Sequence, residues 1–142
     1  MLYFAYGSNL NYKQMNYTCP DNKFIKRACL DDYEFAYDGH SNKWDGAVAN
    51  ILKSVDNIVW GGLYEISESD LANLDRREGF PKSYDRKELE VKDDQGNNYL
   101  AITYFRIGKE IGIPSNRYRK IVVSGAKDYD LPHGYVKKNL IK

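Results

Sequence analysis

The sequence predicts an α+β domain, and three observations carry that expectation. Aromatic and β-branched runs bounded by turn residues fill the stretch from Tyr3 to Ile66. Strong helical signals gather later, behind Ser67, Pro114 and Pro132. Thirteen tyrosines, an unusual excess, fit a β-rich fold whose cavities have polar walls. Strands first and helices late define the class. At 142 residues the chain forms a single domain, 1–142, able to bury a core without staples.

The elements follow in order. Tyr3-Phe4-Ala5-Tyr6 is a strand that breaks at Gly7-Ser8-Asn9, and residues 10–16 form a short helix behind the Ser8 and Asn9 caps. Such a loop presents successive backbone N–H groups to a carboxylate or an oxyanion. Residues 24–30 and 34–37 read as strands separated by Asp31-Asp32, and residues 38–45 as a loop. Strands 47–52 and 58–66 are joined by a turn at Asp56-Asn57. Gly61-Gly62 inside the second of them marks a bulge or a closely passing backbone. Ser67 caps a helix over 68–78, stopped by Gly79 and Pro81. Residues 84–93 and 99–106 form a hairpin around Asp93-Asp94-Gln95-Gly96-Asn97-Asn98. Pro114-Ser115 opens a helix to about Ala126, and Pro132 a last one ending near Leu140.

Composition excludes several functions. Twenty-one Lys and Arg against 20 acids leave a net charge of +1, no footprint for nucleic acid or an anionic membrane. A tyrosine stacking platform for single strands would need a basic groove beside it. The pairs Arg76-Arg77 and Lys137-Lys138 read as solvated faces. Cys19 and Cys29 have no C-x-x-C spacing, and His40 and His133 lie far from both, so spacing assembles no metal site. With no signal segment and no apolar run of spanning length, the expected location is cytoplasmic, with reduced thiols.

One carboxylate stands out. In Leu71-Ala72-Asn73-Leu74-Asp75-Arg76-Arg77-Glu78-Gly79, residues Leu71, Leu74 and Glu78 share a face at i, i+3, i+7, whereas Arg76 and Arg77 project elsewhere. Glu78 therefore points inward from the last helical turn, where the helix dipole disfavours negative charge. Burial and the helix end both raise its pKa toward the range of general acid–base chemistry. The structural alternative is an ion pair with Arg76 or Lys82, or fraying into water before Gly79.

Tyr6-Gly7-Ser8-Asn9-Leu10, Trp60-Gly61-Gly62-Leu63-Tyr64 and Leu74-Asp75-Arg76-Arg77-Glu78-Gly79, in that order, resemble the γ-glutamylcyclotransferase-like family. Trp44-Asp45-Gly46-Ala47-Val48-Ala49-Asn50-Ile51 resembles its glycine-containing strand entry, and Pro114-Ser115, Tyr118, Gly125-Ala126, Leu131-Pro132 and Tyr135 its closing pattern. The resemblance implies a compact barrel-like mixed β-sheet core flanked by short helices, in a monomer or homodimer. It implies an acyltransferase or cyclising lyase that turns a γ-glutamyl group into 5-oxoproline and releases an amino acid or amine. By position Glu78 matches the acid/base, and Tyr6, Gly7, Ser8, Asn9 and Leu10 match the segment that cradles the γ-glutamyl group. Tyr84, Tyr104 and Tyr118 align with pocket tyrosines.

That chemistry suits the residues. One carboxylate of raised pKa can take a proton from the substrate ammonium and return it to the leaving amine. Ring closure is intramolecular, so positioning does much of the work, and neither a metal nor an organic cofactor is required. Tyr118 lies on one helical face with Ile121, Val122 and Gly125, a core position compatible with a hydroxyl at the cavity. Ser8 has no His–acid relay near it in sequence, which leaves it a cap or ligand role rather than that of a nucleophile. Cys19 and Cys29 read as ordinary thiols, and His133 as a surface residue. Two further readings stay open: a γ-glutamylamine or carrier-bound γ-glutamyl substrate, and a non-catalytic module for amino-carboxylate ligands. The amine branch of the family carries Gly-Thr-Leu where this chain has Gly7-Ser8-Asn9.

Overall fold

A computed structural model describes residues 1–141. Five strands, β1 (Leu2–Ala5), β2 (Lys23–Ser41), β3 (Gly46–Glu65), β4 (Asp85–Lys92) and β5 (Asn98–Phe105), close into a barrel in the order β1-β3-β2-β4-β5. Every neighbour is antiparallel except β1 and β5, which run parallel and meet at Tyr3 and Ile102. Helices α1 (Tyr12–Thr18), α2 (Glu68–Glu78) and α3 (Asn116–Asp128) flank the barrel, followed by a short turn, α4 (His133–Tyr135), and a π-type turn over Val136–Leu140. The α+β class and barrel-like core expected from the sequence are present, although α1 and α2 are interleaved with the strands rather than gathered late. No helix among the described residues is long and apolar enough to cross a membrane.

The strand boundaries differ most from expectation. The four short strands expected between residues 24 and 66 are two long ones, β2 and β3, paired along almost their whole length. Asp31-Asp32 and Asp56-Asn57 do not reverse the chain. Asp32 and Asp56 adopt left-handed φ angles of 63° and 67°, and the Asp56 amide donates to Asp32 Oδ1 at 3.1 Å. Pairing resumes at Tyr33 with Lys53, so these residues form a wide bulge that bends the hairpin. A short acidic side chain tolerates the left-handed conformation, which makes bulge and turn look alike in sequence. The expected loop 38–45 is likewise strand in its first half, reversing only beyond Ser41. The outer half of this hairpin carries Lys43, Trp44 and Ala49 to the barrel mouth.

The expected helix over 10–16 begins later. Ser8–Leu10 makes a single 3₁₀ turn, and Asn11 caps α1 by accepting from the Gln14 amide at 3.1 Å. Helix α2 has the expected bounds. Ser67 and Asp70 form a reciprocal capping box, and Gly79, at φ 68°, closes the helix.

Two close approaches place the loop after β1. A Cβ on Gly61 would lie 2.2 Å from the Ala5 carbonyl oxygen, so β3 passes against β1 only because that side chain is missing, as Gly61-Gly62 suggested. On the other side, α3 packs Gly125 against the turn, where a Cβ would meet the Leu10 carbonyl at 2.3–2.4 Å. Gly125→Ala is therefore expected to cost about 2–3 kcal/mol in urea unfolding by overpacking this contact. The exposed neighbour Ser124, changed to Ala, should stay within about 0.5 kcal/mol of the parent.

Candidate active site

The loop leaving β1 crosses the barrel mouth and meets the end of α2. Asn9 is 4% exposed, and its amide nitrogen donates to the Tyr3 hydroxyl at 2.8 Å and, more loosely, to Glu78 Oε1 at 3.5 Å. Gln14 holds the loop from behind, donating from Nε2 to Ser8 Oγ at 2.6 Å and to Asn9 Oδ1 at 2.9 Å. In the 3₁₀ turn the Leu10 amide is bonded to the Gly7 carbonyl, while the Ser8 and Asn9 amides precede the first turn bond. Gly7 lets the loop lie against β3, since a Cβ there would come within 2.8 Å of the Ala49 methyl.

The Ala49 peptide organises the facing wall. Its N–H donates to the Tyr118 hydroxyl at 3.0 Å, and its carbonyl accepts from the Tyr84 hydroxyl at 2.7 Å. Tyr6 and Tyr104 line the same recess, but their hydroxyls are committed elsewhere. Tyr6 donates to the Tyr104 carbonyl at 2.8 Å, and Tyr104 donates to Asp75 Oδ1 at 2.6 Å. Arg86 clamps Asp75 in turn, at 2.9 Å. Of the sequence-derived site residues, Tyr6, Gly7, Ser8, Asn9, Glu78, Tyr84, Tyr104 and Tyr118 converge on this narrow recess. Leu10 does not; it is fully buried and supports the turn from beneath. Tyr84 lies just before β4 rather than within it.

Glu78 is partly buried beside its helix partner Leu74, as the periodicity predicted. Among the described residues no ion pair joins it to Arg76 or Lys82, and the Arg76 guanidinium bonds to Asn73 instead. Burial pushes its carboxyl up to about 7. Arg77, the Asn9 hydrogen bond, Lys43 and Arg106 each pull in the opposite direction and hold the group near neutrality. Burial also raises Tyr118 to about 12, leaving its hydroxyl protonated at neutral pH.

From this recess a cleft of about 840 Å³ opens outward, sharing Ser8, Glu78, Tyr84 and Tyr118 with it. Its walls include residues the sequence did not single out. Arg106 is fixed by Asp38 through an ion pair of 2.5 Å, and Asn50 ties both together by donating to Asp38 Oδ2 and to the Arg106 carbonyl, each at 3.1 Å. Nothing in local periodicity marks these three residues, because β2, β3 and the end of β5 bring them together from distant positions. Arg77, read from the sequence as part of a solvated face, is half-buried in the cleft wall.

Residues 58–139 of this closed five-stranded barrel match the AIG2-like family. The chain is 33% identical to the γ-glutamylcyclotransferase of Bos taurus, across 96% of its own length and 76% of the relative's. Identity and coverage are the same for the Homo sapiens γ-glutamylcyclotransferase. A solved γ-glutamyl cyclotransferase structure superposes with a TM-score of 0.91 at 32% identity, covering 96% of this chain and 84% of that one. YkqA from Bacillus subtilis superposes at 0.83 with 27% identity, over 97% of this chain and 52% of that one. The chain belongs to the γ-glutamylcyclotransferase family and is an enzyme of that family.

The raised carboxyl has a cost in stability. Its folded-state pKa of about 7 exceeds the ordinary 4.5, so the folded protein binds the proton more tightly than the unfolded chain does. The stability this contributes is complete below pH 4.5 and is lost as pH rises through 7. Glu78→Gln should therefore be more stable than the parent at pH 8, by about 2–3 kcal/mol, with the difference gone near pH 4. Thermal unfolding of both proteins across that range measures it.

Proposed function

We propose that this protein cyclises the γ-glutamyl group of a γ-glutamyl amino acid to 5-oxoproline and releases the amino acid, with Glu78 as both base and acid. The observation that carries the reading is a single carboxyl near pKa 7, hydrogen-bonded to Asn9 at the mouth of a tyrosine-lined recess. A group poised there is ionised often enough to accept a proton and acidic enough to give it back.

The substrate's α-ammonium first loses a proton to Glu78. The freed nitrogen lone pair attacks the γ-carbonyl carbon, forming the ring C–N bond and placing negative charge on the carbonyl oxygen. The Ser8 and Asn9 amides at the loop are the donors this oxygen would meet. Collapse of the tetrahedral intermediate breaks the bond to the leaving nitrogen, which takes its proton from Glu78. Glu78 accepts and returns one proton in these steps. The second proton that the ring nitrogen sheds as it becomes an amide passes the same way to the released amine, so the carboxylate ends as it began and the amino acid leaves with its ammonium. Both reacting atoms belong to one molecule, and the recess need only hold it folded; Tyr6, Gly7, Tyr84, Tyr104 and Tyr118 supply that shape.

Glu78 weighs against a module that only binds amino-carboxylate ligands, since a carboxyl poised near neutral pH serves proton transfer and adds nothing to holding a carboxylate. The Gly7-Ser8-Asn9 loop weighs against the amine branch of the family.

In an assay of 5-oxoproline release from γ-glutamyl dipeptides, Glu78→Gln is expected to reduce kcat by at least about 100-fold. Undiminished activity in that variant removes Glu78 from the mechanism. For the parent, kcat/KM should fall as pH drops below about 7, because the base must be ionised to begin the reaction.

A further inference from the structure

We infer that the outer cleft selects γ-glutamyl substrates whose leaving group is itself acidic, an amino acid or short peptide bearing a side-chain carboxylate besides its α-carboxylate. The inference rests on the cyclisation proposed above and extends it to the group that departs. With the γ-glutamyl moiety in the inner recess, the leaving group has one direction to go, outward past Glu78 into the cleft. At about 840 Å³, that space falls within the range that accommodates ligands larger than one small amino acid.

The cleft's charge is far from the chain's balance of +1. Lys43, Arg76, Arg77, Lys82, Arg106 and Lys109 line it, against Glu78 and Asp85. Asp38 neutralises Arg106, but among the described residues no carboxylate lies within ion-pair distance of the other five cations. Lys43 is also held in place. Its ammonium lies 5.5 Å from the centre of the Trp44 ring, and the same indole takes the Arg117 guanidinium at 4.6 Å. Burial first, and then the nearby Arg77 and Arg117 charges, lower the Lys43 pKa, while Glu78 pulls the other way. Such an arrangement is relieved by an incoming anion.

The substrate determines how much anion arrives. A bound γ-glutamyl group carries one ammonium and one carboxylate and adds no net charge. Glu78 becomes neutral when it takes the proton, so the cations around it lose their inner counter-charge as the reaction starts. The α-carboxylate of a neutral leaving residue supplies a single negative charge to this wall. A second carboxylate reaches cations that a glutamine side chain of the same shape leaves unmatched.

The test compares two ligands on one protein. Glu78→Gln, expected to turn substrate over at least about 100-fold more slowly, is titrated calorimetrically with γ-Glu-Glu and with γ-Glu-Gln. The acidic compound should bind at least about 10-fold more tightly at low salt, with the gap closing in 0.5 M NaCl. Adding Lys43→Met and Arg77→Met should bring the two affinities within about 2-fold of each other. Equal affinities in Glu78→Gln, or binding of neither compound, overturns the inference. Release of 5-oxoproline by the parent enzyme reports separately on the cyclisation. Equal binding with turnover of both dipeptides would remove the preference and keep the reaction. Preferential binding without turnover of either would do the reverse.

Discussion

The barrel closes through four residues, and the site depends on that closure. Strand β1 pairs with β3 along Leu2 to Ala5 and meets β5 at Tyr3, so the sheet has no free edge at the point where the chain leaves it. The loop that follows has little freedom. Ala49 lies against Gly7 on one side, Gly125 presses on Leu10 from another, and Gln14 bonds back to Ser8 and Asn9. These contacts set the position of the Asn9 amide, and through it the distance to Glu78. Replacing any of the glycines at these contacts pushes a Cβ into neighbouring atoms.

Polar groups reach this recess in a connected set. Tyr3, Asn9 and Gln14 support one another on the loop side, while Arg86, Asp75 and Tyr104 form a second chain beneath α2. Such networks are stable only when nearly every member is satisfied. Glu78 is the exception, held by one long hydrogen bond and surrounded by cations that do not bond to it. Burial raises its pKa and outweighs the opposing pull of the cations and of Asn9, which stop the rise near neutral pH. Removing a cation is thus a change at Glu78 as well as at the cleft.

Elements governed by local rules were readable in the sequence. The Ser67 cap, the Gly79 stop and the inward face of Glu78 all follow from helix geometry and stand where expected. The long hairpin was not readable, because Asp32 and Asp56 carry a turn's chemistry while making a bulge. The recess residues came from motifs in family order, yet Leu10 turned out to be packing, and the hydroxyls of Tyr6 and Tyr104 serve the scaffold. The Asp38–Asn50–Arg106 set and the cations of the cleft depend on long-range pairing, which no window of a dozen residues contains.

The parallel contact of Tyr3 with Ile102 also bears on how the protein comes together. The β2–β3 and β4–β5 hairpins join neighbours in sequence and close short loops, whereas β1 must find partners some 60 and 100 residues away. Loop-closure entropy makes that the most demanding step, favourable only once both partner strands are in place. The two halves of the recess, Asn9 behind β1 and Glu78 at the end of α2, lie on opposite sides of the step. A chain with both hairpins formed but β1 undocked holds much of its secondary structure and lacks a complete recess. Recovery of activity during refolding therefore reports docking of β1, and separates it from the formation of the sheet that receives it.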